Sequence, residues 1–498
     1  MSVHLHTGLR RGSKNATDTE GELENASFED PAEILKAGSL AFSDANPEGR
    51  IFLGLIGAEV HRETLPSGRV SRYAVGGRAV GFADDRHLMT IAGSRSGKSV
   101  SAIIPNLLRY PGSTLVIDPK GELACRTARH RSNFGNVHVL DPFDVVQGNA
   151  TKFKGSFNPM SILDRESKTL VEDAGLIADG LVVPSPGRED NHWDESAKHF
   201  IEGLILHVAT HSSFKDQRNL TTVYRLLMIA DEGLRKDMEE SPVLAVAEAA
   251  RGFWQKSDKE RDSVLSTARR HARFLGYQSM EEVLRSSSFD LRDLKTGTTT
   301  IYLCLPALRL GTVSQWLRII VNLTLAMMEY HQEKPRYPVL MVLDEFAILS
   351  RMESIEKAIG QIAGLGVLLW IIIQDLSQLS IYGKKSETML GNCGILQFFG
   401  NSEPTTLEWI EKRLGKTIVS KRSQHDVTFA GRTERGETGI SHSTETHPLI
   451  TAEEASRFFG RDDNLVRQLI IRPSYSPMIL QRACYYKDDR FRGQWDAD

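Results

Sequence analysis

A chain of 498 residues is too long for one hydrophobic core and predicts more than one domain. Its 40% hydrophobic and 25% charged residues fit an ordinary soluble globular protein, and a net charge of −3 excludes a global basic field, so any nucleic-acid contact must come from a local patch. The four cysteines, Cys125, Cys304, Cys393 and Cys484, form no C-x-x-C pair, which argues against a zinc or disulfide framework and for a reducing compartment.

Residues 1–50 read as a polar tail, in which Asp18, Glu20, Glu22, Glu24, Glu29 and Asp30 follow one another without an intervening Lys or Arg; a short amphipathic helix is expected near Pro31–Ala37. The start lacks the apolar run of a secretory signal. No stretch approaches the ~20 apolar residues of a membrane helix, since "IFLGLIGA" at Ile51 and "VLLWIII" at Val367 are too short, so the chain is not expected to span a membrane by itself. From Ile51 to Phe82 short apolar runs with Gly turns predict small strands. "HLMTIA" (His87–Ala92) predicts a strand running into a helix that Pro105, lacking an N–H, should kink or shorten. "STLVID" (Ser113–Asp118) and "NVHVLD" (Asn136–Asp141) predict two further buried strands.

From about Leu163 to Ser288 the pattern turns helical. In "DESAKHFIEGLILHVATH", Ala197, Phe200, Ile201, Leu204, Ile205 and Val208 share one face. Ser257 and Glu260 have capping-box spacing ahead of the stripe Val264, Leu265, Ala268, Ala272 and Leu275. The α/β pattern resumes at Thr298–Pro306 and continues through a helix Thr312–Glu333 and the runs Pro338–Phe346, Gly366–Asp375 and Gly394–Gly400. Near-continuous apolar strands predict a parallel sheet covered on both faces. Ser420–His447, polar and rich in Gly, Ser and Thr, reads as a long mobile loop. The expected division is 51–162 and 289–498 for the α/β part and 163–288 for an inserted all-α domain.

Ala92 to Ser99, "AGSRSGKS", fits [A/G]-x-x-x-x-G-K-[S/T], with Ala at its first position and Gly93 directly after it. Successive backbone N–H groups of such a loop face an anion, and the following helix start adds partial positive charge. Gly93, Ser94, Arg95, Ser96, Gly97, Lys98, Ser99 and Val100 are the candidate nucleotide-binding residues; Lys98 would neutralise the β and γ phosphates and Ser99 would ligate magnesium. A Gly-Lys-Ser turn can also open any helix; the apolar strand before it supplies the context that a phosphate loop needs. "VLMVLDEF" would end a buried strand in Asp344, to hold the magnesium, and Glu345, to polarise the attacking water. Gln374, at the end of "LLWIIIQ", would sit beside the γ-phosphate and couple hydrolysis to movement, unless it is merely an exposed strand end. Arg261, Arg269, Arg270, His271 and Arg273 offer either phosphate contact or, more commonly, a solvated helix face. Trp193, Trp316 and Trp370 lie in or beside apolar patterns and are expected in the core.

These residues, in this order, resemble the TraG-like family of type IV secretion coupling proteins, the ATPases of bacterial conjugation. The resemblance is carried by "SGKSVSAIIPNLL" at Ser96, "GSTLVIDPKGEL" at Gly112, "FNPM" at Phe157, "WDESAKHFIEGLILH" at Trp193, "KERDSVLSTAR" at Lys259, "VLDEFAIL" at Val342, "IIIQDLSQLSIYG" at Ile371 and "LGNCGILQFFG" at Leu390, and spans about Arg72 to Tyr486. It implies an α/β fold with a RecA-like P-loop nucleotide-binding domain, an inserted all-α domain, and ATP with Mg2+ as cofactors. It places the P-loop role on Gly97, Lys98 and Ser99, the acidic pair on Asp344 and Glu345 and the glutamine role on Gln374, with Asp118, Lys120 and Glu122 in a neighbouring signature. It implies hexameric rings that bring single-stranded or double-stranded DNA, a relaxase or other protein substrates to a secretion channel.

Typical members begin with membrane-spanning helices, which implies for this chain a soluble relative or a separate membrane protein, with a place in the bacterial cytoplasm, peripheral at the inner face of the inner membrane. "IEKAIGQIAGLG" (Ile355–Gly366) lacks the subunit-bridging Arg of some relatives, leaving Arg351 and Arg413 as candidates. The competing readings are a DNA translocase of the FtsK/HerA kind, against which the helical insert and "DPKGE" argue, and a docking platform that binds nucleotide without turnover, against which Lys98, Asp344 and Glu345 argue.

Overall fold

A computed structural model describes residues 26–67, 69–183, 192–331, 333–425 and 439–497. Its centre is an eleven-stranded sheet in the order Arg78–Phe82, Ile51–Ile56, Met478–Gln481, Arg467–Ile471, Cys393–Phe399, His87–Ala92, Val367–Ile373, Val339–Leu343, Thr114–Asp118, Thr299–Cys304, Asn136–Leu140. The last seven of these run parallel. The first four are joined to them and to each other by antiparallel pairing.

The apolar runs work because both faces are covered and side chains alternate between them. Val339, Met341 and Leu343 enter one core, with Leu115, Ile117, Leu369 and Ile371. Leu340 and Val342 enter the other, with Val116, Leu368, Trp370 and Ile372. On the first face lie the helix Leu310–Tyr330, expected as Thr312–Glu333, and the helical stretch between the strands Asn136–Leu140 and Thr299–Cys304. The apolar face of the helix His192–Thr210 is buried at all six expected positions, Ala197, Phe200, Ile201, Leu204, Ile205 and Val208. Ser257 caps the helix Asp258–Ala272 through Glu260 N–H, but a reciprocal capping box is formed instead by Thr451 and Glu454.

On the second face the helix after His87–Ala92 begins with a wide turn, Ser99–Ile103, and becomes α-helical at Ile104–Arg109. Pro105 supplies the reason. Ile104 N–H reaches back five residues to Ser99 O; the next donor in that pattern would be Pro105, which has none. The freed carbonyl, Val100 O, accepts from Tyr485 N–H at 3.3 Å, so the proline docks the C-terminal segment on the helix. Asn106 then ties the helix to the strand Ile51–Ile56, accepting from Phe52 N–H (2.7 Å) and donating to Phe52 O (2.9 Å).

Two regions differ from expectation. Within Ser420–His447, expected as a loop, the backbone pairs Lys416–His425 with Gly439–Pro448 as an antiparallel hairpin; residues 426–438 lie outside the described residues. The stretch carries β-branched residues such as Thr417, Ile418, Val419, Thr444 and Thr446 but lacks the alternating apolar pattern by which strands are read. Of the tail expected over 1–50, residues 1–25 lie outside the description, while Asp30 caps the helix Pro31–Lys36 and Ile34 and Leu40 are buried. Among the described residues no helix is long and apolar enough to cross a membrane.

Arg131, fully buried, joins the second face to the sheet. It donates to Thr300 Oγ1 (2.9 Å), Gly112 O (2.6 Å), Leu107 O (3.4 Å) and Tyr110 O, and burial lowers its pKa to about 10, which leaves it charged. Hydrogen bonds from a charged group are worth roughly 1.5–3 kcal/mol each, and orphaned acceptors add to the cost of losing them. Arg131→Met should therefore lower the unfolding free energy by about 3 kcal/mol in urea titration; a loss below about 1 kcal/mol would show that the four contacts contribute little.

Candidate functional site

The carboxyl ends of three adjacent parallel strands meet at one edge of the sheet, because Ile373 is in register with Ile91 and Ile371 with Leu343. Ligands of open parallel sheets bind at such an edge. The residues that follow these strands are the Gly93–Ser99 loop, Asp344–Glu345 and Gln374.

The loop has a backbone that few sequences can take. A Cβ at Gly93 would fall 2.0 Å from Gly400 O, the turn after the neighbouring strand, so only glycine fits. Ala92 is the last strand residue, fully buried in register with Phe399, which answers the alanine at the head of the motif. Arg95 has φ +57° and Gly97 φ +88°. Ser96 N–H donates to Gly93 O at 3.2 Å and Ser101 N–H to Gly97 O at 2.9 Å, closing the loop onto its helix. Ser94 and Arg95 are exposed, Ser96 is buried, and Gly93, Gly97, Lys98, Ser99 and Val100 are half-buried.

Lys98 is the centre of the charge arrangement. Its Nζ lies 3.0 Å from Asp344 Oδ1 and 2.5 Å from Glu345 Oε1. Gln374 Nε2 donates to the other Glu345 oxygen, Oε2, at 3.1 Å. Four residues expected to act together thus form one chain of contacts. Burial acts against the charge of Lys98, but the two carboxylates outweigh it and hold its pKa above the usual lysine value. Asp344 is more deeply buried, and desolvation raises its pKa despite Lys98. For Glu345 desolvation also acts upward, but Lys98 and the Gln374 hydrogen bond outweigh it and keep the carboxylate below the usual range. Glu345 sits in the left-handed region at φ 56°, a costly backbone conformation for a non-glycine residue and one often found where function over-determines the geometry. Gln374 is held at its backbone too: its N–H donates to Gln378 Oε1 at 3.0 Å and its carbonyl accepts from Asn401 Nδ2 at 3.4 Å.

Asp118 extends the site toward the second face. It is fully buried, and burial pushes its pKa up to about 7, opposed by backbone N–H groups and reinforced by Asp344. It accepts Ala124 N–H at 2.8 Å and so anchors the helix Glu122–Arg131 at the sheet edge. Lys120, from the same turn, lowers the pKa of Glu345. Sequence reasoning missed Arg482, whose Nη1 donates to Ser96 O at 2.6 Å; no motif surrounds it, and the strand Met478–Gln481 that it follows is short.

The remaining candidates lie elsewhere. Arg351 pairs with Glu356 at 3.1 Å, and Arg413 is exposed on the helix Pro404–Leu414. In the insert, Arg269 donates to Leu227 O and Met228 O, the carboxyl end of the helix Leu220–Ile229, while Arg270 pairs with Asp194 and Arg261 with Asp258. Arg269 and Arg270 thus reach other elements of the insert, Arg261 pairs within its own helix, and Arg270 and Arg273 stay exposed, as a solvated helix face leaves them. Trp316 and Trp370 are buried, and Trp193 packs against the core.

A hydroxyl at Ser99 and a carboxylate at Asp344 are the hard oxygen donors that magnesium takes, and the described residues hold no cluster of three or more His, Cys, Asp and Glu side chains that could enclose a metal. That donor set suits a cation completed by phosphate oxygens and water rather than by a protein cage.

The model of the family described as "Type IV secretory system Conjugative DNA transfer" matches residues 50–496. The conjugal transfer protein TraG of Escherichia coli is 25% identical over 444 residues, covering 81% of this chain and 68% of that protein. The type IV secretion system-coupling protein VirD4 of Bartonella quintana is 24% identical over 418 residues, covering 80% of this chain and 63% of the relative. Among solved structures, the bacterial conjugative coupling protein TrwBdeltaN70 in complex with sulphate matches with a TM-score of 0.61 at 15% identity, over 93% of this chain and 96% of that one. TrwB in complex with the ATP analogue ADPNP matches at 0.60 and 15% identity, over 90% and 97%. The fold is therefore the α/β, RecA-like P-loop fold that the motifs imply.

Removing the ammonium tests the charge arrangement directly. In Lys98→Met both carboxylates lose their counter-charge and their folded pKa values rise. A carboxyl whose folded pKa exceeds its unfolded value contributes stability at low pH that is lost as pH rises through the folded pKa. The variant should thus lose more stability, relative to the parent chain, at pH 8 than at pH 5, on the order of 3 kcal/mol at the upper end. Urea midpoints at both pH values measure it; an equal deficit at the two would rule out the coupling.

Proposed function

We propose that this chain, which belongs to the type IV secretory system conjugative DNA transfer family, binds ATP with Mg2+ at the Gly93–Ser99 loop and hydrolyses it to drive transfer substrates into a secretion channel. The observation that carries the reading is the convergence of Lys98, Asp344, Glu345 and Gln374 at the strand ends beside that loop. The TrwB structures with ADPNP and with ADP and Mg2+ support it by likeness of fold.

In this reading the loop N–H groups and Lys98 bind the phosphates, Lys98 exchanging its contacts with the two acids for phosphate oxygens. Ser99 and Asp344 would hold the magnesium ion, which supplies charge neutralisation on those oxygens. Glu345, held on its second oxygen by Gln374, orients and accepts a proton from the attacking water. Gln374 reports the state of Glu345 to the Asn401 turn. DNA, single-stranded or double-stranded, a relaxase or another protein as cargo, a hexameric ring, and attachment at the inner face of the inner membrane through a separate membrane protein belong to the same proposal.

Lys98→Ala should weaken nucleotide binding by roughly tenfold or more, because the loss of a charged phosphate partner is worth at least ~1.4 kcal/mol. Glu345→Gln should keep binding and lose hydrolysis by about two orders of magnitude or more. Calorimetric titration with ADPNP and phosphate release from ATP measure the two; near-normal turnover in Glu345→Gln would remove Glu345 from the chemistry, and binding without any turnover in the parent chain would favour a docking platform.

A second outcome concerns assembly. Sites of this fold are commonly completed by a neighbouring copy, so specific ATPase activity should rise with protein concentration and rise again with single-stranded DNA. Activity that stays flat across a hundred-fold dilution, with a monomeric mass throughout, would argue against a ring.

A further inference from the structure

Arg482 lies directly beneath the phosphate loop, 386 residues away in sequence from the Ser96 carbonyl it binds. It is 4% exposed, its guanidinium stacks 4.2 Å from the centre of the Phe399 ring, and no carboxylate pairs with it among the described residues. Nη1 donates to Ser96 O at 2.6 Å and to Ser101 Oγ at 3.3 Å, and Ser101 Oγ in turn donates to Gly97 O at 2.8 Å. Its backbone is fixed as well, since Arg482 N–H donates to Val466 O at 3.0 Å. Burying a cation without an acid is costly and is tolerated only where its donors find acceptors. Both acceptors of Nη1 belong to one loop and its first helical turn, while Nε finds none among the described residues.

The peptide geometry gives this contact a direction. In a trans peptide the C=O and the following N–H point opposite ways, and the described residues contain no cis bond. Because Ser96 O points inward to Arg482, Gly97 N–H points outward, toward the open side of the loop. The loop also carries Arg95 and Gly97 at positive φ, a conformation that must be held by its surroundings. We infer that Arg482 is a positioning residue for nucleotide binding: it fixes and polarises the Ser96–Gly97 peptide so that the Gly97 N–H is pre-aimed at a phosphate, and it adds a fixed positive charge behind the anion. The contact resembles an oxyanion donor held from behind, where the advantage lies in having no reorganisation left to make. Further along the same segment, Tyr485 N–H binds Val100 O at 3.3 Å and Asp496 N–H binds Arg126 O at 3.1 Å, so the C-terminus straps both helices that start at the site.

The inference rests on nucleotide binding at this loop. The test measures calorimetric affinity for MgADP and for ADPNP in the parent chain, Arg482→Met and Arg482→Lys, with circular dichroism and urea midpoints recorded on each. Arg482→Met keeps the stem on Phe399 and removes the donors; it should bind both nucleotides roughly tenfold more weakly while still folded. Arg482→Lys keeps the charge and one reachable donor, and should recover part of that loss without recovering more stability than affinity. A purely structural role would move the midpoints of both variants and leave the affinity of the folded protein unchanged, which would overturn the inference. Should Arg482→Met not fold, folded Arg482→Lys decides: roughly threefold weaker binding supports the role, and parent affinity rejects it. A parent chain that binds neither nucleotide would sink the nucleotide reading itself, and this inference with it.

Discussion

The site depends on a lysine that cannot be buried alone. Lys98 leaves water at the end of a sheet, and two carboxylates from a strand two places away hold its charge. The pairing works in both directions. Without the ammonium Asp344, already pushed toward its neutral form by burial, would lose its main reason to ionise. Without the acids the lysine would lose what outweighs its own desolvation. Glu345 differs from Asp344 because it is more exposed and has Gln374 on its second oxygen. Two adjacent carboxylates are thereby driven apart in pKa, one up and one down, by their different burial and partners.

The sheet makes this arrangement possible by its register. Val367–Ile373 lies between His87–Ala92 and Val339–Leu343, so Gln374 emerges between the loop and the acidic pair and reaches Glu345. Gly400 follows the strand on the other side of His87–Ala92, and its carbonyl packs against Gly93. The helical insert leaves the chain after Asn136–Leu140, at the far edge of the sheet, and the chain returns to the neighbouring strand Thr299–Cys304. It therefore covers one face without interrupting the strands that carry the chemistry.

Much of this was legible in the sequence, for identifiable reasons. A strand buried on both faces leaves an uninterrupted apolar run, so "VLMVL" and "VLLWIII" declare themselves, and the residue after each run falls at the sheet edge where sites form. The phosphate loop is legible because its glycines answer to steric facts, the 2.0 Å approach of Gly400 and a φ of +88° at Gly97. The hairpin Lys416–His425 with Gly439–Pro448 was not legible, since its sequence lacks the apolar alternation that marks a half-buried strand. From sequence the arginines of the insert admit either phosphate contact or a solvated helix face, because sequence gives charge but not acceptors. In the fold, Arg269 closes a helix end and Arg270 meets an acid 76 residues away.

Two buried guanidiniums show what local reasoning cannot reach. Arg131 and Arg482 are both buried, both pushed down to about 10 by desolvation, and both bound mainly to backbone carbonyls or hydroxyls rather than to acids. Neither belongs to a motif. A guanidinium offers five donors in one plane, so it can hold several chain segments at a fixed mutual angle, which an ion pair between two side chains cannot do. Arg131 uses nearly all of that capacity on the 107–112 turn and the strand beside it. Arg482 leaves its Nε without an acceptor and concentrates its contacts on the loop and the turn after it. A residue retained only to fill space would be better replaced by an apolar one. A buried cation with an unused donor, aimed at a loop peptide whose N–H faces outward, makes physical sense if that peptide's orientation is what it secures.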